Sequence, residues 1–259
     1  MNGRARQIGF SQRIRLEWLE KTTNLVLAGS DRESIQVALQ ELLRDKVSIG
    51  GSAQRGNREK IITILMKIWV NVPKELEPFR DLGLELLKRK KKNIHLAVHW
   101  GMTVAVYPFW GTVAACVGRL LRLQGTVAPA QVQRRIREQY GERETVSRAA
   151  RRTLRSFIDW GVLAESKEKG FYQPTHPRPI SDDQMVKWLF ESILMTRENR
   201  SSALSSLRED PSLFPFAINH VSSNAIERSG GLEVVKHGLD DELVLLRREN
   251  QTGGKGNGG

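Results

Sequence analysis

The sequence predicts a mainly α-helical protein: an N-terminal helical bundle, a central helix–turn–helix closed by a two-stranded hairpin, and a small C-terminal α+β unit. Three observations carry this. Apolar residues recur at helical spacing through most of residues 11–123. Residues 145–160 set Val146, Ala150, Thr153, Leu154, Phe157 and Trp160 on one side and four arginines on the other, which describes an amphipathic helix. Gly161, Gly170 and Gly230-Gly231 punctuate short apolar runs, the pattern of hairpin strands.

In chain order, residues 1–10 read as a loose basic lead. Ser11 is placed to cap a helix over 11–28 that carries Ile14, Leu16, Trp18, Leu19, Leu25 and Val26. Gly29-Ser30-Asp31 stops it, and 31–46 repeats the pattern through Ile35, Leu39, Leu42 and Leu43. After a glycine loop at 50–56, Asn57 caps a helix through Ile61, Ile62, Leu65, Ile68 and Trp69, which Pro73 ends. A fourth helix over 75–88 uses Leu76, Phe79, Leu82, Leu86 and Leu87. Residues 96–118 contain no Asp, Glu, Lys or Arg and have the length of a membrane span. His99, Thr103, Thr112 and Pro108 argue instead for two short buried helices meeting at Tyr107-Pro108, so no membrane is expected. The bundle thus occupies 1–125.

The central unit spans 126–175: a helix, a turn, the arginine-bearing helix, and a hairpin in which Val162-Leu163 and Phe171-Tyr172 flank a tight turn at 166–170. Pro174, Pro177 and Pro179 read as a linker. A third unit, 180–250, begins with a helix capped near Ser181-Asp182-Asp183. Phe214 and Phe216 plug a core from a proline turn, 217–227 reads as helix, and 232–235 and 242–246 as strands. The glycine content of 251–259 reads as a flexible tail.

With 41 Lys+Arg against 29 Asp+Glu the net charge is +12, which suits a polyanion partner. Residues 1–126 carry +10, 127–179 carry +5 and 180–259 carry −3, so the acidic last third is suited to a protein partner or to self-association. One cysteine, Cys116 in an apolar run, and an N-terminus without an apolar stretch fit a reducing cytoplasm. Catalytic patterns are missing. His95 and His99 have ligand spacing, but Leu96 stands where a zinc-protease motif needs glutamate, and no nearby carboxylate is visible in sequence. Gly51 and Gly56 have phosphate-loop spacing, with Asn57 and Arg58 in place of Lys and Ser/Thr. The expectation is a non-enzymatic protein with no cofactor and no metal.

Residues 127–175 resemble the winged helix-turn-helix family, in which the second helix enters the DNA major groove and the wing touches the backbone. The resemblance implies that Arg148, Arg151, Arg152 and Arg155 make groove and phosphate contacts, with Lys167 and Lys169 at the wing tip. Asp159 falls inside the arginine arc, where it is placed to pair with Arg155. The lysine-rich run at 88–92, including Lys90 and Lys91, reads either as a phosphate clamp or as a solvated helix end. Arg55, Arg58 and Lys60 form a weaker basic group. The arrangement of a helical first part before this unit, with arginines from Arg134 and Arg135 to Arg155, is similar to the small DNA-binding protein of bacteriophage exclusion (BREX) loci. That similarity implies an antiphage assembly. The expected partner is double-stranded DNA; the alternative is an adaptor that uses the same scaffold to dock protein. A single-strand RNA reader is less suited, because few aromatics sit in the basic stretches.

Overall fold

The computed structural model of the chain describes residues 8–47, 56–89, 92–218, 221, 223–227, 231–237 and 241–247, and it is mainly helical. Helix α1 (Leu16–Leu27) is followed by α2 (Arg32–Leu43), whose Asp31 cap accepts from the Ser34 amide at 2.8 Å. Helix α3 (Asn57–Trp69) starts directly after Gly56, and a short 3₁₀ turn at 74–76 leads from Pro73 into α4 (Glu77–Arg89). Next come α5 (His95–Val106) and α6 (Pro108–Gln124), with a 117° bend between them. Pro108 fits the first turn of α6, where its missing N–H costs nothing. Eleven of the twelve α5 residues are buried, as a helix almost apolar all round requires. No described helix is long and apolar enough to cross a membrane.

The first helix departs from expectation. It begins at Leu16, and Ser11 caps nothing; residues 8–15 form a non-helical strap instead. Phe10, expected in a loose lead, and Ile14, expected in the helix, are both fully buried in this strap.

Helix α7 (Pro129–Tyr140), a three-residue turn at 141–143 and helix α8 (Glu144–Asp159) follow, then β1 (Leu163–Glu165) and β2 (Tyr172–Pro174). The two strands are antiparallel, with Leu163 opposite Pro174. Val127 adds a bridge to Tyr172 through N–H···O bonds of 2.8 and 2.9 Å. The strap lies against α8. The Ile14 amide donates to Ser156 Oγ at 2.9 Å, Trp160 Nε1 donates to the Ile14 carbonyl at 3.0 Å, and the Arg152 guanidinium donates to the Ser11 carbonyl. Replacing Ser156 with Ala leaves the buried Ile14 amide without an acceptor, and a loss of about 1–3 kcal/mol is expected. Urea denaturation measures it; an unchanged midpoint would show that the strap does not depend on this bond.

The stretch expected as a proline linker is partly strand: Pro174 ends β2, and Pro179 lies in β3 (Arg178–Ile180). Asp182 caps α9 (Asp183–Leu194), accepting from the Met185 amide at 3.1 Å. Then follow β4 (Ser201–Ala203), α10 (Leu204–Arg208), a 3₁₀ turn at 211–213, β5 (Phe216–Ile218), α11 (Ser223–Glu227), β6 (Leu232–His237) and β7 (Asp241–Leu246). The helix expected over 217–227 is therefore a strand followed by a short helix. Phe216 and Ile218 are drawn into pairing because β3 offers a parallel edge, Arg178 opposite Phe216. The predicted strands near 232 and 242 form an antiparallel pair, and β4, not foreseen, adds to β7.

Buried residues from all three stretches belong to one core. α9 packs on α5, and its Trp188 also stacks on Phe79 of α4 with centroids 3.7 Å apart. Trp100 meets Trp110, Phe157, Trp160, Phe214 and Phe216 within 6.0 Å, so one ring joins α5, α6, α8 and the 210–216 turn. Phe214 and Phe216 do serve as plugs. The expected tail at 251–259 lies outside the described residues.

Candidate nucleic-acid interface

Helix α8 divides as its sequence predicts. Val146, Ala150, Thr153, Leu154, Phe157 and Trp160 are all buried, which fixes the helix against the core and turns its other face outward. Arg148, Arg151 and Arg155 are exposed on that face. Arg148 has Glu144 one turn back at 3.7 Å, an exposed pair of small energetic weight. Arg151 and Arg155 have no carboxylate or hydrogen-bond partner among the described residues.

Two details differ from expectation. Arg152 is half-buried and donates to the Ser11 carbonyl, so it fastens the strap as well as bordering the arginine face. Its guanidinium is held below its ordinary pKa, first by burial and then by the like charges of Arg148 and Arg151. Asp159 does not pair with Arg155. Both of its carboxylate oxygens accept from Arg13 of the strap, and this bond raises the Arg13 pKa. Arg13 thereby neutralises Asp159, leaving Glu144, beside Arg148, as the other carboxylate on this face. Sequence reasoning missed it because 146 positions separate the pair, and nothing local announces the strap.

At the hairpin tip Lys167 and Lys169 are exposed, and the turn is closed by the Ser166 amide donating to the Phe171 carbonyl at 2.9 Å. Gly170 has φ 89°, a conformation that favours glycine. On α7, Arg134 is exposed and 3.9 Å from Glu138. Arg135 lies on the side of α7 that faces α6, sharing a shallow groove with Cys116 and Arg119. Lys90 and Lys91, like Arg55 and Gly51, lie outside the described residues. Of their neighbours, Lys88, Arg89 and Lys92 are exposed, with Arg89 bonded to Glu85 at 2.8 Å. Arg58 is occupied structurally, donating to the Arg44 and Val47 carbonyls.

His95 and His99 do meet a carboxylate, supplied by α1. Glu20 Oε1 lies 3.1 Å from His95 Nδ1 and 3.4 Å from His99 Nε2. Among the described residues no group of His, Cys, Asp and Glu is arranged to hold a metal ion. Burial opposes ionisation of Glu20, yet hydrogen bonds and charge from His99 and His95 outweigh it and hold the carboxyl down at about 2. Complete burial depresses the His99 pKa against the opposing pull of Glu20. A histidine with a depressed folded pKa stabilises the fold at high pH, because the unfolded chain binds the extra proton once pH falls below about 6.5. Relative to His99→Met, wild-type protein is therefore expected to lose stability as pH falls below about 6.5. Urea midpoints at about pH 7 and about pH 5.5 measure it, and parallel pH profiles for the two proteins would rule it out. The Glu20 contribution is lost lower, between its unfolded value of 4.5 and about 2.

Comparison with family models, with curated proteins and with solved structures finds no match to this chain.

Proposed function

We propose that this protein binds double-stranded DNA through the exposed face of α8, with the β1–β2 tip against the neighbouring backbone, in the manner of a winged helix-turn-helix. The observation that carries the reading is the crowding of like charge on α8. Arg148, Arg151, Arg152 and Arg155 share one face of the helix, Arg151 and Arg155 have no described partner, and Arg13 removes the charge of Asp159. An anion laid against this face relieves the repulsion, and the planar guanidinium fork suits phosphate oxygens and the O6 and N7 edge of guanine. The function is non-enzymatic, needs no cofactor or metal, and belongs in a bacterial cytoplasm as part of the antiphage assembly that the arrangement suggests.

The test is titration of the whole chain against a fluorescent random-sequence duplex of about 30 base pairs at several salt concentrations. Binding that weakens steeply with salt is the expected result. No binding at low salt would overturn the reading in favour of an adaptor whose arginines meet acidic protein.

A second contact, to a partner protein or another copy of the chain, is proposed for the C-terminal third. Strand β6 is an edge of its sheet and exposes Val235 (43%). Deleting the third is no fair test, since α9 is part of the core. Val235→Lys leaves the core untouched; light scattering is expected to show loss of association, and unchanged association would remove this edge as the contact.

A further inference from the structure

A cavity of about 300 Å³ lies where the start of α6, the end of α7 and the end of α9 meet. Its apolar lining includes Val104, Pro108, Ala115 and Ile193. Its polar lining includes Arg119, Tyr140 and Thr112; the Thr112 hydroxyl donates to the Pro108 carbonyl at 3.1 Å and lies 3.0 Å from the Tyr140 hydroxyl, from which it accepts. Burial raises the Tyr140 pKa, more than its bond to Thr112 lowers it, so the phenol remains a donor. Arg197 and Asp210 also reach the wall, but they pair with each other at 2.8 Å and cancel. Arg119 forms no ion pair among the described residues, so one positive charge is left uncompensated. The hollow opens to solvent beside the exposed Arg119 and its lining is more polar than apolar, so it is a surface site with an apolar side and not a void in the core. Its volume falls at the small end of the range for small-molecule sites.

We propose that this cavity is a binding site for a small organic carboxylate, with the carboxylate on Arg119 and on the Tyr140 hydroxyl, which turns its proton from Thr112 to the ligand, and an aromatic or branched apolar body against Val104, Pro108 and Ile193. The guanidinium fork pairs with a carboxylate bidentately, which fixes its orientation. The site also adjoins the DNA-binding unit. Tyr140 is the last residue of α7, its carbonyl accepts from the Arg143 guanidinium at 3.1 Å, and the three-residue turn leads straight into α8. A ligand that draws on the Tyr140 hydroxyl pulls on this turn, so occupancy alters how α8 is presented. Only this last consequence rests on the DNA-binding reading.

The experiment is ¹⁹F NMR titration of the full chain with 4-fluorobenzoate, repeated on Arg119→Gln, on Ala115→Leu, which fills the cavity, and on Arg122→Gln, an exposed control outside it. Expected are binding in the millimolar range or tighter, NOEs from the probe to the Tyr140 ring, weakening by about tenfold or more in Arg119→Gln, loss in Ala115→Leu, and no change in Arg122→Gln. Absence of binding at several millimolar, or equal affinity in wild type and Arg119→Gln, overturns the assignment. Arg119 is exposed, so its replacement leaves the fold intact, which circular dichroism verifies. Duplex binding is measured on the same samples. Probe binding without duplex binding removes the DNA reading and leaves the cavity assigned; duplex binding without probe binding does the reverse.

Discussion

Replacing Arg148, Arg151 and Arg155 together by alanine is expected to flatten the salt dependence of duplex binding. Each phosphate neutralised contributes about 0.9 to the slope of log affinity against log salt, so loss of three contacts lowers the slope by about 2.7. Between about 50 and 200 mM salt, that corresponds to an approximately 40-fold smaller fall in affinity. The three side chains are exposed and their backbone faces a buried stripe that the substitutions do not touch, so the fold is unaffected. Arg152 is left out deliberately: it holds the Ser11 carbonyl, and its removal would mix loss of the strap with loss of charge. Unchanged affinity and slope in the triple variant would move any DNA contact away from α8.

Gly118→Ala is expected to be the most damaging single substitution by size of the atom added. A Cβ at this position of α6 would sit 1.9 Å from the Pro211 carbonyl oxygen, which is backbone and cannot swing aside. The 210–216 turn is pinned here from several directions. Trp100 Nε1 donates to the Ser212 carbonyl at 3.2 Å, the Ser212 amide donates to Asp210 at 2.9 Å, and Phe214 and Phe216 sit against Trp100. Alanine gains about 1 kcal/mol of helix propensity over glycine, but forcing backbone apart in a packed core costs about 3 kcal/mol. A net loss near 2 kcal/mol follows. Gly111→Ala, on the same helix, meets only the Val104 side chain at 3.3 Å and serves as the mild comparison. Equal urea midpoints for the two variants would show that the α6–turn contact gives way easily.

What was legible in the sequence was what repeats locally. The helices from 31 to 159, the corner at Pro108, the buried and exposed faces of α8, the hairpin turn at 166–170 and the last two strands all follow from periodicity, caps and turn residues, which act over a few positions. The arginine face belongs to the same class, since side chains three and four apart share a helix face by geometry. Tertiary structure alone decided the rest, because the deciding partner lay far along the chain. Ser11 looked like a cap, yet burial of Phe10 against Tyr107 and Trp110 and bonding of Ile14 to Ser156 and Trp160 turned that stretch into a strap. Asp159 lay beside Arg155 on the helical projection, but Arg13 reached it first with two hydrogen bonds. Ala217 and Ile218 read as the start of a helix until β3 offered an edge, and His95 and His99 lacked a carboxylate until α1 brought Glu20. The cavity beside Tyr140 has no sequence signal at all, since its walls come from four separated segments. Local pattern sets which face of an element is apolar; only packing sets what that face, and the polar groups at its margin, finally touch.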